Sequence, residues 1–339
     1  MKSTTIASAA ILYFSLIHCV VAQLPRLGGV NTPGYEFTLY ENGTFTNNPH
    51  TPPAAQFPHF SAEGANLYRV PWQQMTPVLG GSINTSFLAQ YNATVQAALD
   101  SSADAHVIID LHNYARWNGK IIAQGGPTNT QFASVWSQLS KFYGANDRLI
   151  FGIMNEPHDL DIAAWATSVQ YVVNDIRAAG ATNYLLIPGS NYTSAQYFPT
   201  YSGPHLLNLT DPLGGTGRLI FDVHKYLDSD NSGTHPDCVT NNVAILETLV
   251  HWLEASGNRQ ALLSETGGGN TASCKTFLGQ ELAYVNSTYP TLVGYSIWAA
   301  GAFDSSYVLS VTPFRNETDQ SLWTNADIMT VAVLRVVMR

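Results

Sequence analysis

Seven short apolar runs in this chain end at residues 70, 111, 154, 188, 223, 265 and 298, so successive ends lie 33 to 43 residues apart. Between most of them runs a stretch with helical spacing. A parallel strand reaches its neighbour only through a crossover of a dozen or more residues, usually a helix, so this repeat predicts strand-helix units and a parallel sheet. An eighth apolar run, 27–31, precedes the others. Eight such units in 339 residues predict an α/β fold in which the sheet closes on itself as a (β/α)8 barrel. The rival is a doubly wound open sheet. It would place a Gly-x-Gly-x-x-Gly phosphate loop after a strand, and none follows any of these runs.

The predicted strands are 27–31, 66–70, 106–111, 149–154, 184–188, 219–223, 261–265 and 292–298. Val107, Ile108 and Ile109 make the third run β-branched, as burial on both faces of a parallel sheet requires. Helices are predicted over 84–103, where Phe87, Leu88, Tyr91, Val95, Ala98 and Leu99 form one stripe, and around 131–143. Others cover 160–179, with Gly180 as the stop, 241–255, and the region around 275–286. A long turn-rich segment reaches from Asn31 to about Phe60.

The chain's ends bear on where it works. Residues 1–22 read as a secretion signal: Lys2 is the positive start, 6–21 is mostly apolar, and Val20, Val21 and Ala22 are small residues before a cut at Gln23. The membrane-anchor alternative fails because the run is short, His18 interrupts it, and no second span follows. Asn42, Asn84, Asn92, Asn191, Asn208, Asn286 and Asn316 each open an Asn-x-Ser/Thr triplet, the acceptor pattern for N-glycans. Once Cys19 leaves with the signal, Cys238 and Cys274 remain, and an even pair in an oxidising compartment predicts a disulfide. Two thiols are too few for a structural zinc site. The net charge of −9 argues against nucleic acid and anionic membrane as partners. With no Ser/Thr/Pro-rich linker and no second cysteine cluster, 23–326 is expected to be one domain and the protein a monomer. The tail 327–339 is apolar apart from Arg335 and its ends, and is expected to be a docked last helix or a poorly ordered end.

Two glutamates stand at predicted strand tips. Glu156 follows the fourth run in Asn155-Glu156-Pro157, and Glu265 ends the seventh before Gly267, Gly268 and Gly269, which are expected to leave open space above the barrel. Catalytic groups of a (β/α)8 barrel stand at those tips. Two carboxyls facing across the mouth suit glycoside hydrolysis, one protonating the leaving oxygen while the other attacks the anomeric carbon. Arg69, His112, Asn113, His224, Tyr226 and Trp298 also fall at or just beyond strand ends. A cation beside a carboxylate keeps it ionised, a tryptophan face stacks on a sugar ring, and asparagine and histidine bond its hydroxyls. Each residue alone has a structural reading: a helix-capping glutamate, an ion-pair arginine, satisfied core histidines, a core tryptophan. Their shared place at strand ends favours the site. No metal-ligand set is apparent around His112 and His224, and no cofactor is implied.

The segments 110–119, 125–129, 152–159, 221–235 and 264–270 resemble glycoside hydrolase family 5, and within it the fungal endo-β-1,4-glucanases; the resemblance runs from about Gly28 to Pro313. It implies that Glu156 is the acid/base and Glu265 the nucleophile of a retaining mechanism, acting on a β-1,4-glucan. It implies that Asn155 bonds the sugar 2-hydroxyl, that Arg69 and Tyr226 hold Glu265 ionised and aimed, and that His112 binds the sugar beside the scissile bond. His224 would sit near the acid/base, Trp298 would floor that subsite, and a Cys238–Cys274 bridge would tie two mouth loops together. The family usually shows Trp-Gly-Ala-Gly where this chain has Trp298-Ala299-Ala300-Gly301. The alternatives are a β-mannanase or mixed-linkage β-glucanase with the same carboxylates, and, in another class, an inactive carbohydrate-binding barrel. The last would be expected to lack a glutamate or the preceding asparagine, and here all are present. An acidic pH optimum is expected, since one carboxyl must be charged and the other protonated.

Overall fold

The computed structural model describes residues 23–46, 49–73, 75–76, 78–315 and 323–332. The predicted secretion signal, the candidate acceptor Asn316 and the end of the tail lie outside the described residues. Eight parallel strands close into a barrel: β1 (Leu27–Asn31), β2 (Leu67–Trp72), β3 (His106–Leu111), β4 (Leu149–Gly152), β5 (Tyr184–Pro188), β6 (Leu219–His224), β7 (Ala261–Thr266) and β8 (Leu292–Ile297). Each pairs with its neighbours in sequence, and β1 pairs with β8, Leu27 opposite Gly294, to complete the ring. Outside lie α1 (Gln56–Ala62), α2 (Thr85–Asp100), α3 (Asn129–Tyr143), α4 (Ile162–Ala178), α5 (Gly203–Leu206), α6 (Val243–Ala255), α7 (Ala272–Ser287) and α8 (Met329–Ala332).

The interior of the barrel is built in layers. Its N-terminal half is filled by Leu27, Leu67, Ile108, Ile150, Leu186, Ile220, Leu262 and Val293, one apolar side chain from each strand, with Leu24 and Tyr184 packed on them. A larger apolar shell joins the outer strand faces to the helices, with Trp136, Trp165, Phe151 and Leu249 buried in it. Several helices begin where the sequence places a cap. Asn84 accepts from the amides of Ser86 and Phe87 ahead of α2, Thr128 and Gln131 form a capping box at α3, and Asp161 and Thr271 cap α4 and α7.

The strand ends shift from expectation for identifiable reasons. β2 continues through Pro71 to Trp72. The last β1–β2 pair is Asn31 with Arg69, so β1 has ended where the missing amide of Pro71 would have been needed. β4 stops at Gly152 rather than 154, because the chain then reaches for both neighbours: the Ile153 amide donates to Leu186 O and the Asn155 amide to Leu111 O. β8 ends at Ile297, one residue short of Trp298. The turn-rich segment contains α1, and the β5–β6 connection holds a π-helical turn, Phe198–Ser202, followed by α5. Each of these pieces is too short, and too rich in proline, for apolar periodicity to show. Of the tail, Asp327–Ala332 is described and Met329–Ala332 is one helical turn, with Ile328 and Met329 buried. No helix among the described residues is long and apolar enough to cross a membrane.

Candidate active site

Two residues above the apolar layer, the inward positions become polar. Leu67 is followed by Arg69, Ile108 by Asp110, Ile220 by Asp222 and Leu262 by Ser264, all of them buried. Arg69 is the hub. Its guanidinium contacts Glu265 Oε1, donates to Asn155 Oδ1 at 2.6 Å and to Asn31 Oδ1 at 3.0 Å, and pairs with Asp110 Oδ1 at 3.0 Å. A fully buried arginine ringed by carboxylates stays charged, because the ion pairs outweigh its desolvation.

Glu265 is the penultimate residue of β7 and is almost wholly buried. Tyr226 donates its hydroxyl to Oε2 at 2.7 Å, and His224 Nδ1 lies 3.5 Å from the same oxygen. Burial alone would raise this carboxyl, but the charges of His224 and Arg69 and the tyrosine bond pull it down to about 2. It is an ionised, doubly held carboxylate. The glycines after it do not leave open space as expected. A methyl at Gly267 would strike the Trp298 carbonyl, at Gly268 the sulfurs of the disulfide, and at Gly269 the backbone of Pro236. They are there because backbones approach closely. The Cys238–Cys274 disulfide forms as predicted, with its Cα atoms 4.8 Å apart.

Glu156 faces Glu265 from the β4 end. Its backbone takes φ 43°, in the left-handed region that costs a non-glycine residue about 1–2 kcal/mol. This conformation, squeezed between Asn155 and Pro157, turns the side chain into the mouth. Oε1 accepts from His224 Nδ1 at 2.7 Å, so one imidazole sits against both carboxylates. Burial lowers the affinity of His224 for its proton, yet Glu265 and Glu156 raise its pKa to about 9, and it stays a donor. The side chain of Glu156 is 16% exposed against 4% for Glu265, leaving the first reachable from solvent and the second screened. Oxygen atoms of the two carboxylates lie within 4.8 Å of each other.

Other expected residues fall around this pair. His112 is oriented by Asp110, which holds its Nδ1 at 2.9 Å, while its Nε2 meets Asn155 Nδ2 at 3.1 Å. Asn155 thus keeps one amide hydrogen for a ligand. Trp298 stacks on His112, centroids 5.7 Å apart and planes 19° apart, and its Nε1 donates to the Tyr307 hydroxyl at 3.0 Å. Asn113 is not brought to the pair. It lines a separate apolar cavity with Trp72, Met75, Leu111 and Met154, and its Oδ1 is buried without a partner. Successive residues of an extended chain point to opposite sides, so with His112 turned into the mouth Asn113 points outward, toward α3.

Several members were not read from the sequence: Asn31, Asp110, Asp222, Ser264, and Glu36, whose carboxyl burial lifts to about 7. For Asp110 and Asp222 the available signal was a charged side chain set two positions after an apolar residue in an otherwise apolar strand; the others carried none. Two grooves open at the mouth, one lined by Glu156 and His224 and the other by His112 and Trp298. One, of about 740 Å³, is lined by Glu41, Tyr192, Tyr197, Lys225 and Asn231. The other runs past Glu36, Phe37, His50, His112, Trp298 and Phe303.

An eight-stranded parallel barrel with a charged and a solvent-reachable carboxyl close together at its C-terminal mouth defines a glycoside hydrolase. Residues 30–301 match the family described as Cellulase (glycosyl hydrolase family 5), and the chain belongs to that family. It is 66% identical over 306 residues to the manganese dependent endoglucanase Eg5A of Phanerodontia chrysosporium, covering 89% of this chain and 79% of the relative. The crystal structure of Cel5A (EG2) from Hypocrea jecorina superposes with a TM-score of 0.87 at 42% identity, covering 92% of this chain and 99% of that one. XacCel5A in complex with cellopentaose superposes with a TM-score of 0.81 at 28% identity, covering 91% and 99%.

Proposed function

We propose that Glu265 is the nucleophile and Glu156 the acid/base of a retaining endo-β-1,4-glucanase. The observation that carries this is the spacing. Carboxylate oxygens within 4.8 Å suit a direct attack on the sugar, whereas inversion needs about 6.5–9.5 Å between carboxyls to seat a water. Glu265 attacks the anomeric carbon while the bond to the leaving sugar breaks, and Glu156 delivers its proton to the departing oxygen. Water then gives a proton to Glu156 and attacks the same carbon. The glycosyl ester breaks and Glu265 returns as a carboxylate. Asn155 offers its free amide hydrogen to the sugar 2-hydroxyl, a contact that tightens as positive charge develops on the ring.

One groove at Glu156 and a second past His112 and Trp298 support cleavage inside a chain, since an internal bond needs sugar-binding surface in both directions. Cellulose-like β-1,4-glucan is the substrate class. Proton NMR on cello-oligosaccharide hydrolysis tests the reading: a β-anomer formed first supports the retaining pair, and an α-anomer formed first overturns it. Rates on carboxymethylcellulose, barley glucan and mannan decide the glycan.

The enzyme is exported as a monomer after loss of residues 1–22, in keeping with the disulfide. Asn42, Asn84 and Asn208 are exposed and suited to carry glycans. Asn191 lines the cleft beside Glu156, and the Oδ1 of Asn286 is buried, so both are poor acceptors. Mass mapping of the secreted protein checks each point.

A relative is a manganese dependent endoglucanase, and we propose a manganese site on this chain as well. The Glu156, His224 and Glu265 group could ligate a metal, but its lone pairs are those the reaction uses. Asp228, Asp230 and His235 form a separate group beside the cleft, with oxygen and imidazole donors of the kind manganese takes. Asp228 Oδ2 accepts from the amides of Thr234 and His235, while its buried Oδ1 has no partner. Here a manganese ion would brace the 228–235 loop. Saturable Mn2+ binding by EPR, lost in Asp230→Asn, supports this; equal binding by both proteins overturns it.

A further inference from the structure

Behind the nucleophile lies a polar chain that closes on itself. Thr266, the residue after Glu265, donates Oγ1 to Glu281 Oε2 at 2.5 Å. Glu281 belongs to α7 and is wholly buried. Its other oxygen accepts from Asn242 Nδ2 at 2.9 Å, and that amide also donates to the Tyr226 carbonyl at 3.0 Å. Tyr226 in turn donates its hydroxyl to Glu265. Starting at Glu265, the path therefore runs through Thr266, Glu281, Asn242 and Tyr226 and returns to Glu265.

Two features mark this as more than core filling. A buried carboxyl is costly in an apolar shell unless its bonds are needed. Asn242 takes φ 55° immediately before α6, yet its side chain makes no cap bond to that helix. Asparagine at a helix start ordinarily caps it. Here the backbone twist turns the amide inward to join α7 to the Tyr226 segment. The Cys238–Cys274 bridge joins the same two regions covalently, but at the loop, away from Tyr226 itself.

We infer that Glu281 and Asn242 are positioning residues for the nucleophile, acting through Thr266 and Tyr226 to fix both the strand end that carries Glu265 and the hydroxyl that aims it. This rests on the reading of Glu265 as nucleophile. Neither residue reaches the cleft, and both act through others. Arg69, His224, His112 and Tyr226 are the groups that face Glu265, and Arg69, His224 and Tyr226 hold it ionised. Of these, only Tyr226 is tied into the ring. Loosening the ring therefore weakens one of the three and leaves the rest in place.

The test uses a 2-deoxy-2-fluoro-cellobioside with a good leaving group, which traps the glycosyl-enzyme and reports attack by the nucleophile alone. Peptide mapping must first find the label on Glu265; a label elsewhere overturns the nucleophile reading itself. Asn242→Gly keeps the left-handed backbone at no steric cost and deletes the bridging amide. It is expected to slow trapping roughly tenfold per labelled molecule, about one hydrogen bond's worth, and to move the acid limb of the pH profile upward. Glu281→Leu is expected to do the same. Glu281→Gln retains an acceptor for Asn242, and the Thr266 hydroxyl can turn to accept from its amide, so its trapping rate should return to within about threefold of the parent. If Glu265 is labelled but Asn242→Gly and Glu281→Leu trap at the parent rate with the same acid limb, the positioning role is wrong. If Glu281→Leu does not fold, Asn242→Gly and Glu281→Gln still decide it.

Discussion

The lower and upper layers of the barrel interior are made by the same strands, two residues apart, and do opposite jobs. Below, eight apolar side chains meet in a dry plug. Above, Arg69, Asp110, Asp222 and Ser264 occupy the next inward positions with Glu265 beside them. The plug fixes how far each strand is from the axis, and so fixes the distance between the charged groups. A polar cluster of this kind is held in place by the rigidity beneath it, since ion pairs buried at a desolvation cost contribute little net stability. Stability and chemistry are thus separated along the barrel axis by one pleat.

Substitutions in the upper layer should strike activity, and those in the lower layer stability. The largest expected effect is Glu265→Gln, which should lower kcat/KM on cello-oligosaccharides on the order of 10⁵-fold while the circular dichroism spectrum is retained. Glu156→Gln should lose roughly 10²–10⁴-fold on natural glucans. Much of this should return on an aryl cellobioside whose leaving group needs no proton, and a loss of equal size on both substrates would contradict the acid role. Ile108→Ala in the plug should cost about 2–5 kcal/mol of unfolding free energy with kcat per folded molecule unchanged, measured by denaturant melts and active-site titration. A fall in kcat there would mean that the two layers are not separable.

The smallest effect is the change of stability with pH, and its sign follows from groups in and around the upper layer. Burial raises Glu36 and Glu281 from 4.5 to about 7. Each binds its proton more tightly when folded, so its contribution is complete below pH 4.5 and is lost as pH rises through 7. His224, raised from 6.5 to about 9, contributes fully below 6.5 and loses that contribution through 9. Glu265, lowered from 4.5 to about 2, contributes above 4.5 and loses it as pH falls toward 2. The melting temperature should therefore peak near pH 4.5 and decline on both sides, with the larger loss toward pH 9, where three raised groups give up their contribution against one on the acid side. A melting temperature that rises from pH 5 to 8 would contradict these assignments.

The barrel was legible because its signal is long-range and repetitive: eight apolar runs spaced by helix-length segments survive errors at individual boundaries. Glu156 and Glu265 were legible because carboxylates interrupt apolar runs at their ends. Asp110 and Asp222 were less visible, since they sit inside such runs and only the inward register, known from the structure, separates them from the outward Val107 and Phe221. Asn113 was misplaced because neighbours in an extended chain face opposite sides, so a residue adjacent to the inward His112 faces outward. Glu281 lay hidden in a helix whose other face carries ordinary polar residues. Its partners Thr266 and Asn242 are 15 and 39 residues away, and no local pattern links them.

Closure of the ring through β1 and β8 has a kinetic consequence. Leu27 and Gly294 must meet across nearly the whole chain, and contacts of such long separation are slow to form. Glu265 lies on β7 and Trp298 just beyond β8, so a chain still being synthesised lacks the seam and the sugar platform until its last quarter has emerged. Catalytic power arrives late and together with the fold, and recovered activity per molecule is then a clock for closure itself.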